Sequence, residues 1–181
     1  MNVLGISGSL RSASFNTAAL RAAIELAPPG MAITIAEIAD LPLYNDDVRL
    51  EGYPAPARRL REQIRQADAL LIATPEYNYS VTGVLKNAID WASRPPDQPF
   101  AGKPVAILGV STGRFGTARA QYHLRQICVF VDMKPPNRPE VMISLAPERF
   151  DADLRLADET SRRLVADLLV SLQQWTQQLR K

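Results

Sequence analysis

The chain holds a single cysteine, Cys128, and a single histidine, His123, among its 181 residues. One thiol excludes an internal disulfide, and one thiol with one imidazole excludes a Cys/His metal cluster. Cys128 falls in the apolar run Ile127-Cys128-Val129-Phe130-Val131, where a thiol is expected buried and inert. No apolar run approaches the roughly 20 residues that a membrane-spanning helix needs. The N-terminus enters a strand directly, without a charged region, an apolar stretch and a cleavage site, so a cytoplasmic protein is expected. Charge of one sign is missing too: 21 basic against 19 acidic residues leave +2, without a basic block. That excludes nucleic acid as the default partner. Neither G-x-G-x-x-G nor G-x-x-x-x-G-K-[ST] occurs, which excludes the pyrophosphate fingerprint and the magnesium-triphosphate loop.

What remains is an alternation of apolar runs and amphipathic stretches, without repeats or low-complexity tracts. Its length suits a single domain over residues 1–181 with a sizeable core. Val3 to Ser7 reads as a buried strand and Leu20, Ala23, Ile24 and Ala27 as a helix stripe from Thr17 on, stopped by Pro28-Pro29-Gly30. Met31 to Ile38 reads as a second strand and Leu41 to Asp47 as a loop. Asp46 and Asp47 have no histidine or third carboxylate at ligand spacing, so no metal site is expected there. Ala57 to Ala67 reads as an amphipathic helix. Ala69 to Thr74 and Val105 to Val110 are continuous apolar runs, as central parallel strands require. Helices follow each, the second carrying Ala120, Leu124, Ile127 and Val131 with His123 at its boundary, read as a surface histidine. Pro135 to Pro139 links to a short strand, Glu140 to Ile143. A long helix follows, with Leu164, Val165, Leu168, Leu169, Leu172, Trp175 and Leu179 as its stripe and Arg180-Lys181 at its end.

Five strand–helix alternations predict an α/β fold: a five-stranded parallel sheet with helices on both faces, in the doubly wound, flavodoxin-like order 2-1-3-4-5. Ligands of such sheets sit beyond the carboxyl ends of the strands, where the strand order reverses. Three loops meet there. The first, Gly8 to Thr17, gathers Ser9, Ser14, Asn16 and Thr17 around Arg11 at a helix start, a pattern suited to a phosphate monoester. Asn16 also reads as an ordinary N-cap. The second, Pro75 to Ser80, is polar and aromatic. The third, Ser111 to Gly116, contains Gly113, where a backbone can approach a ligand closely. FMN has matching parts: a phosphate, a flat ring and a polar pyrimidine edge.

Gly8-Ser9-Leu10-Arg11 with Ser14 and Asn16, then Pro75-Glu76-Tyr77-Asn78-Tyr79-Ser80, then Gly83-Val84-Leu85-Lys86-Asn87-Ala88-Ile89-Asp90-Trp91 resemble the NADPH-dependent FMN reductase family. Within it the nearest likeness is to bacterial quinone, chromate and azo-dye reductases. Leu41-Pro42-Leu43-Tyr44-Asn45 and Arg119 to Arg125 fit the same branch, and the likeness weakens after about Pro139. The resemblance implies non-covalent FMN, NADPH or NADH as co-substrate, and a homodimer or homotetramer. By position it implies that Ser9, Arg11, Ser14, Asn16 and Thr17 hold the phosphate. Pro75, Glu76, Tyr77 and Asn78 would hold the ring, with Ser111 and Gly113 on its far side. Tyr77, Asn78 and Arg114 are the expected wall of the substrate pocket. Thr82 departs from the family, where many relatives place proline. Threonine can cap the helix instead, so only a small effect is expected.

The expected reaction is ping-pong: hydride passes from NAD(P)H through the flavin to a small-molecule acceptor such as a quinone, azo compound, chromate or flavin. No protein acid or base is demanded. The rival reading is a flavodoxin-like electron carrier without turnover, against which the net charge of +2 argues, since such carriers are acidic.

Overall fold

The structure is a computed structural model that describes residues 1–180; Lys181, read above as part of a helix end, lies outside them. Its five strands are β1 (Asn2–Ser7), β2 (Ala32–Ile35), β3 (Ala69–Ala73), β4 (Val105–Val110) and β5 (Val141–Ile143). All pair in parallel, in the order β2-β1-β3-β4-β5 expected from the sequence. The helices are α1 (Phe15–Glu25), α2 (Asp46–Glu51), α3 (Ala55–Gln66), α4 (Gly83–Ala92), α5 (Ala118–Phe130) and α6 (Glu159–Leu179).

Strand side chains alternate between two cores, as the two-residue period dictates. Ala69, Leu71 and Ala73 of β3 join Leu20 and Ala23 of α1 and Leu168, Leu169 and Leu172 of α6 on one face. Leu70 and Ile72 join Leu60 and Ile64 of α3, Leu85 and Ile89 of α4, and Leu124 and Cys128 of α5 on the other. Every residue of β3 and β4 is buried, which is why both read as unbroken apolar runs. The order reverses between β1 and β3, so a crevice opens beyond their carboxyl ends.

Some boundaries differ from expectation, for local reasons. Ser14, not Asn16, caps α1: its hydroxyl accepts from the Thr17 N–H at 3.2 Å. β2 is confined to Ala32–Ile35 because Ile35 opposite Gly5 is its last paired residue; Ile38 stays buried outside the strand. The acidic pair Asp46 and Asp47 is not loop but the first turn of α2. The Asn45 side chain accepts from the Asp47 N–H at 2.9 Å, and two carboxylates at a helix start suit its dipole. α3 starts at Ala55, with Pro54 as its cap. Leu179 lies outside the α6 core stripe at 41 % exposure, and Arg180 pairs with Asp68.

Two close approaches fix the start of α5, one against β4 and one against β5. A Cβ at Gly109 would sit 1.8 Å from Thr117 Oγ1, so only a residue without a side chain lets α5 start there. Gly116 has φ +54, and a Cβ there would come within 2.7 Å of the Met142 backbone.

Candidate functional site

At the crevice the three loops converge on one cleft. Ser9, Arg11 and Ser14 line it from the first loop, Pro75, Glu76 and Tyr77 from the second, Ser111 and Thr112 from the third. Phe15, Asn16 and Val110 complete it.

The first loop is held from behind. The Gly8 N–H donates to Ala73 O at 2.8 Å, and the Thr82 hydroxyl donates to Gly8 O at 2.6 Å. A Cβ on Gly8 would lie 2.9 Å from Pro75 Cδ, so the first two loops touch where glycine stands. Ser7 Oγ and Thr17 Oγ1 bond each other at 2.8 Å beneath the loop. These contacts leave Ser9 and Arg11 facing outward. The Arg11 guanidinium makes no hydrogen bond or ion pair among the described residues, and Arg11 is exposed. Phe15 and Asn16 open α1, so their N–H groups have no carbonyl four residues back within the helix. Hydroxyls, a guanidinium and helix-start amides together form a donor set for a dianion.

Asn16 has a different environment from the one expected. Its side chain is buried, donating to Val110 O and accepting from Val110 N–H, both at 2.9 Å. The ladder between β3 and β4 ends at the pair Ala73–Leu108, and Asn16 supplies the next rung. Thr17 likewise sits behind the cleft, its hydroxyl turned to Ser7.

In the second loop, Tyr77 and Ser80 exchange backbone hydrogen bonds at 3.1 Å around Asn78 and Tyr79. Both central residues have positive φ, 51° and 68°, as primed hairpin turns require. Pro75 is buried and Tyr77 half exposed, giving the cleft an apolar surface. Asn78 stands at the hairpin tip and does not line the cleft. Glu76 turns its carboxylate to the start of α5, where it accepts from the N–H groups of Arg119 and Ala120 at 3.0 and 3.2 Å.

In the third loop Ser111 lines the cleft, and its hydroxyl accepts from the Gly113 N–H at 3.0 Å. Gly113 and Arg114 stand further out. A Cβ at Gly113 would meet only Ser111 Oγ, at 3.4 Å, so no protein contact demands glycine there. Arg114 is exposed.

Sequence reasoning missed the roles of Ser7, Thr82 and Arg119. Thr82 is more than a cap: it is buried, accepts from the Leu85 N–H at 3.3 Å, and ties α4 to the first loop. His123 is exposed, with Nδ1 2.9 Å from Ser80 Oγ. Burial pushes the Cys128 thiol up to about 12. Among the described residues no three His, Cys, Asp or Glu side chains are grouped to hold a metal ion.

A family model described as NADPH-dependent FMN reductase matches residues 1–148. The chain is 65 % identical over 180 residues to an NAD(P)H-dependent FMN reductase of Pseudomonas aeruginosa, covering 99 % of this chain and 97 % of that protein. It is 53 % identical over 153 residues to a quinone reductase of Escherichia coli K12, covering 83 % and 81 %. The solved structure of the flavoenzyme NAD(P)H:(acceptor) oxidoreductase of Paracoccus denitrificans superposes with a TM-score of 0.89 at 35 % identity, covering 98 % and 97 %.

Proposed function

The chain belongs to the NADPH-dependent FMN reductase family, and from that premise we propose that it carries electrons from NADPH or NADH to quinones, with azo compounds, chromate and free flavin as further acceptors. It is an NAD(P)H-dependent oxidoreductase with FMN as its cofactor. One observation carries the assignment of the site: Arg11, whose guanidinium has no partner among the described residues, and the hydroxyls of Ser9 and Ser14 share a single cleft with Pro75 and Tyr77. A dianion-binding end and an apolar flat end therefore stand at the distance one loop sets from the next. This donor set fits a phosphate monoester better than a pyrophosphate, because it has one helix start and one guanidinium.

When bound, FMN supplies the hydride relay between donor and acceptor. The chain supplies position. Ser9, Arg11, Ser14 and the first N–H groups of α1 hold the phosphate. Pro75 and Tyr77 bear on the ring, with backbone of the second loop and Ser111 beside it. Backbone amides of the second and third loops would meet the pyrimidine edge of a bound flavin and favour negative charge there, in which case no side chain need deliver a proton. The lining is consistent with this: its ionisable side chains are Arg11, Glu76 and Tyr77, and the Glu76 carboxylate is engaged at α5. A second nucleotide fold is lacking among the described residues, so donor and acceptor use the same face in turn, which gives parallel lines in double-reciprocal plots.

A homodimer or homotetramer belongs to the same reading, as does one domain spanning residues 1–181, since both cores share a single sheet. Val129 and Phe130 are 82 % and 80 % exposed beside a groove between α4 and α5 that Val81, Ile89 and Ile127 line. A second copy covering that surface would bury them. A cytoplasmic location is part of the same proposal; separately, no helix among the described residues is long and apolar enough to cross a membrane.

The decisive experiment is the visible spectrum of the dialysed protein, followed by NADPH without oxygen and then a quinone. Flavin bands that bleach and return establish the reductase. Bands that NADPH leaves unchanged refute turnover, and a colourless protein that takes up no FMN refutes the site.

A further inference from the structure

We propose that Glu76 and Arg119 are positioning residues that act as one unit, locking the second loop to the third and so holding the ring end of the cleft in its binding shape. The inference rests on the flavin assignment above.

The Glu76 side chain is only 8 % exposed although its loop borders the cleft. One carboxylate oxygen accepts from the Arg119 and Ala120 N–H groups, and the other pairs with the Arg119 guanidinium. A carboxylate at a helix start with two amide donors and a guanidinium is fully satisfied. The guanidinium in turn lies over two rings, 3.8 Å from the centroid of Tyr79 and 4.6 Å from that of Phe115. Tyr79 belongs to the second loop and Phe115 to the third. Both rings are about two-thirds exposed, 67 % and 66 %, so burial in a core does not hold them. The arginine does, as cations over aromatic faces can. Around it the backbone is strained: Asn78, Tyr79 and Thr117 all have positive φ without being glycine. The Tyr77–Ser80 backbone bonds close the turn that carries Asn78 and Tyr79, and the Arg119 guanidinium adds the contact that joins the Tyr79 ring to α5.

The unit lies at the ring end, away from Ser9, Arg11 and Ser14. Removing it should weaken every ligand that carries the flavin ring by the same factor, with or without a phosphate. A phosphate ligand behaves differently: Arg11→Ala should weaken FMN and leave riboflavin unchanged.

The test titrates apoprotein with FMN and with riboflavin, following quenching of flavin fluorescence. The set is wild type, Glu76→Gln, Arg119→Met, Arg119→Lys, the Glu76→Gln/Arg119→Met double variant and Arg11→Ala, with urea unfolding giving the folded fraction of each. Each single clamp variant should bind both flavins about tenfold more weakly, equivalent to losing one charge-assisted hydrogen bond. The double variant should be no worse than the weaker single, because one unit can be broken only once. Arg119→Lys, which keeps the charge, should recover part of the loss. Unchanged binding in folded single variants, losses that add in the double, or a loss confined to FMN would each overturn the clamp. Wild type that binds neither flavin would overturn the flavin assignment itself.

Discussion

Replacing Asn16 with alanine removes both halves of a bridge that continues β4 past the end of its neighbour. Two buried hydrogen bonds of 2.9 Å disappear, and the N–H and C=O of Val110 lose their partner. A neutral hydrogen bond is worth about 1 kcal/mol net, and a buried group left unmet costs about 1–3 kcal/mol. Water entering from the open cleft satisfies part of that deficit, so the expected loss is about 2–4 kcal/mol. At this chain length each kcal/mol shifts the unfolding midpoint by about 2–4 °C, so a fall of roughly 5–15 °C is expected. Urea unfolding of the apoprotein measures it without any ligand. Asn16→Asp should behave similarly near neutral pH, since a carboxylate cannot donate to Val110 O. Apoprotein stability within about 0.5 kcal/mol of wild type, with FMN bound tenfold more weakly, would refute the reasoning and return Asn16 to the phosphate.

Thr82→Val should lower stability by about 1–3 kcal/mol and weaken FMN binding, since it removes the bonds to Gly8 O and from Leu85 N–H; Thr82→Ser should remain near wild type in both urea unfolding and flavin titration. The Cys128 thiol, buried and pushed up to about 12, should resist an aromatic disulfide reagent at pH 8 in the folded protein and react at once in denaturant. Acid should destabilise the fold through Asp158, held below the usual carboxylate range by Ser161, and Asp68, held there by the Asn2 N–H. The unfolded chain binds those protons first, so their contribution is complete above about pH 4 and fades as pH falls through the folded values. Urea midpoints measured from pH 6 downward should show that decline, shallower in Asp158→Asn.

The sheet order was legible because its signals are local. Unbroken apolar runs mark β3 and β4, and Pro28, Pro29 and Gly30 end α1. The donor-rich first loop was legible for the same reason, since Ser9, Arg11 and Ser14 are neighbours in the chain. What escaped depends on partners distant in sequence. Asn16 meets Val110 across 94 positions, Thr82 meets Gly8 across 74, and Glu76 meets Arg119 across 43. Nothing beside Asn16 tells that the β3 ladder ends one rung short. The first turn of α2 is a different case: Asn45 before two aspartates is a capping signal, obscured by the reading of Leu41 to Asp47 as a loop.

The two glycines that seat α5 have a consequence for engineering. Gly109 leaves no space above β4 for anything but Thr117, and Gly116 is pressed against Met142. Between them the third loop is also stitched to the end of β5 and the chain after it, through Ser111 N–H to Ile143 O, Leu145 N–H to Gly113 O and Ala146 N–H to Ser111 O. It is therefore a clamped span rather than a free arm. The side chain at Thr112 can be exchanged to alter what the cleft admits, because it is exposed and lines the cleft. The loop's length cannot: one inserted residue would have to unseat a helix, a strand end or both.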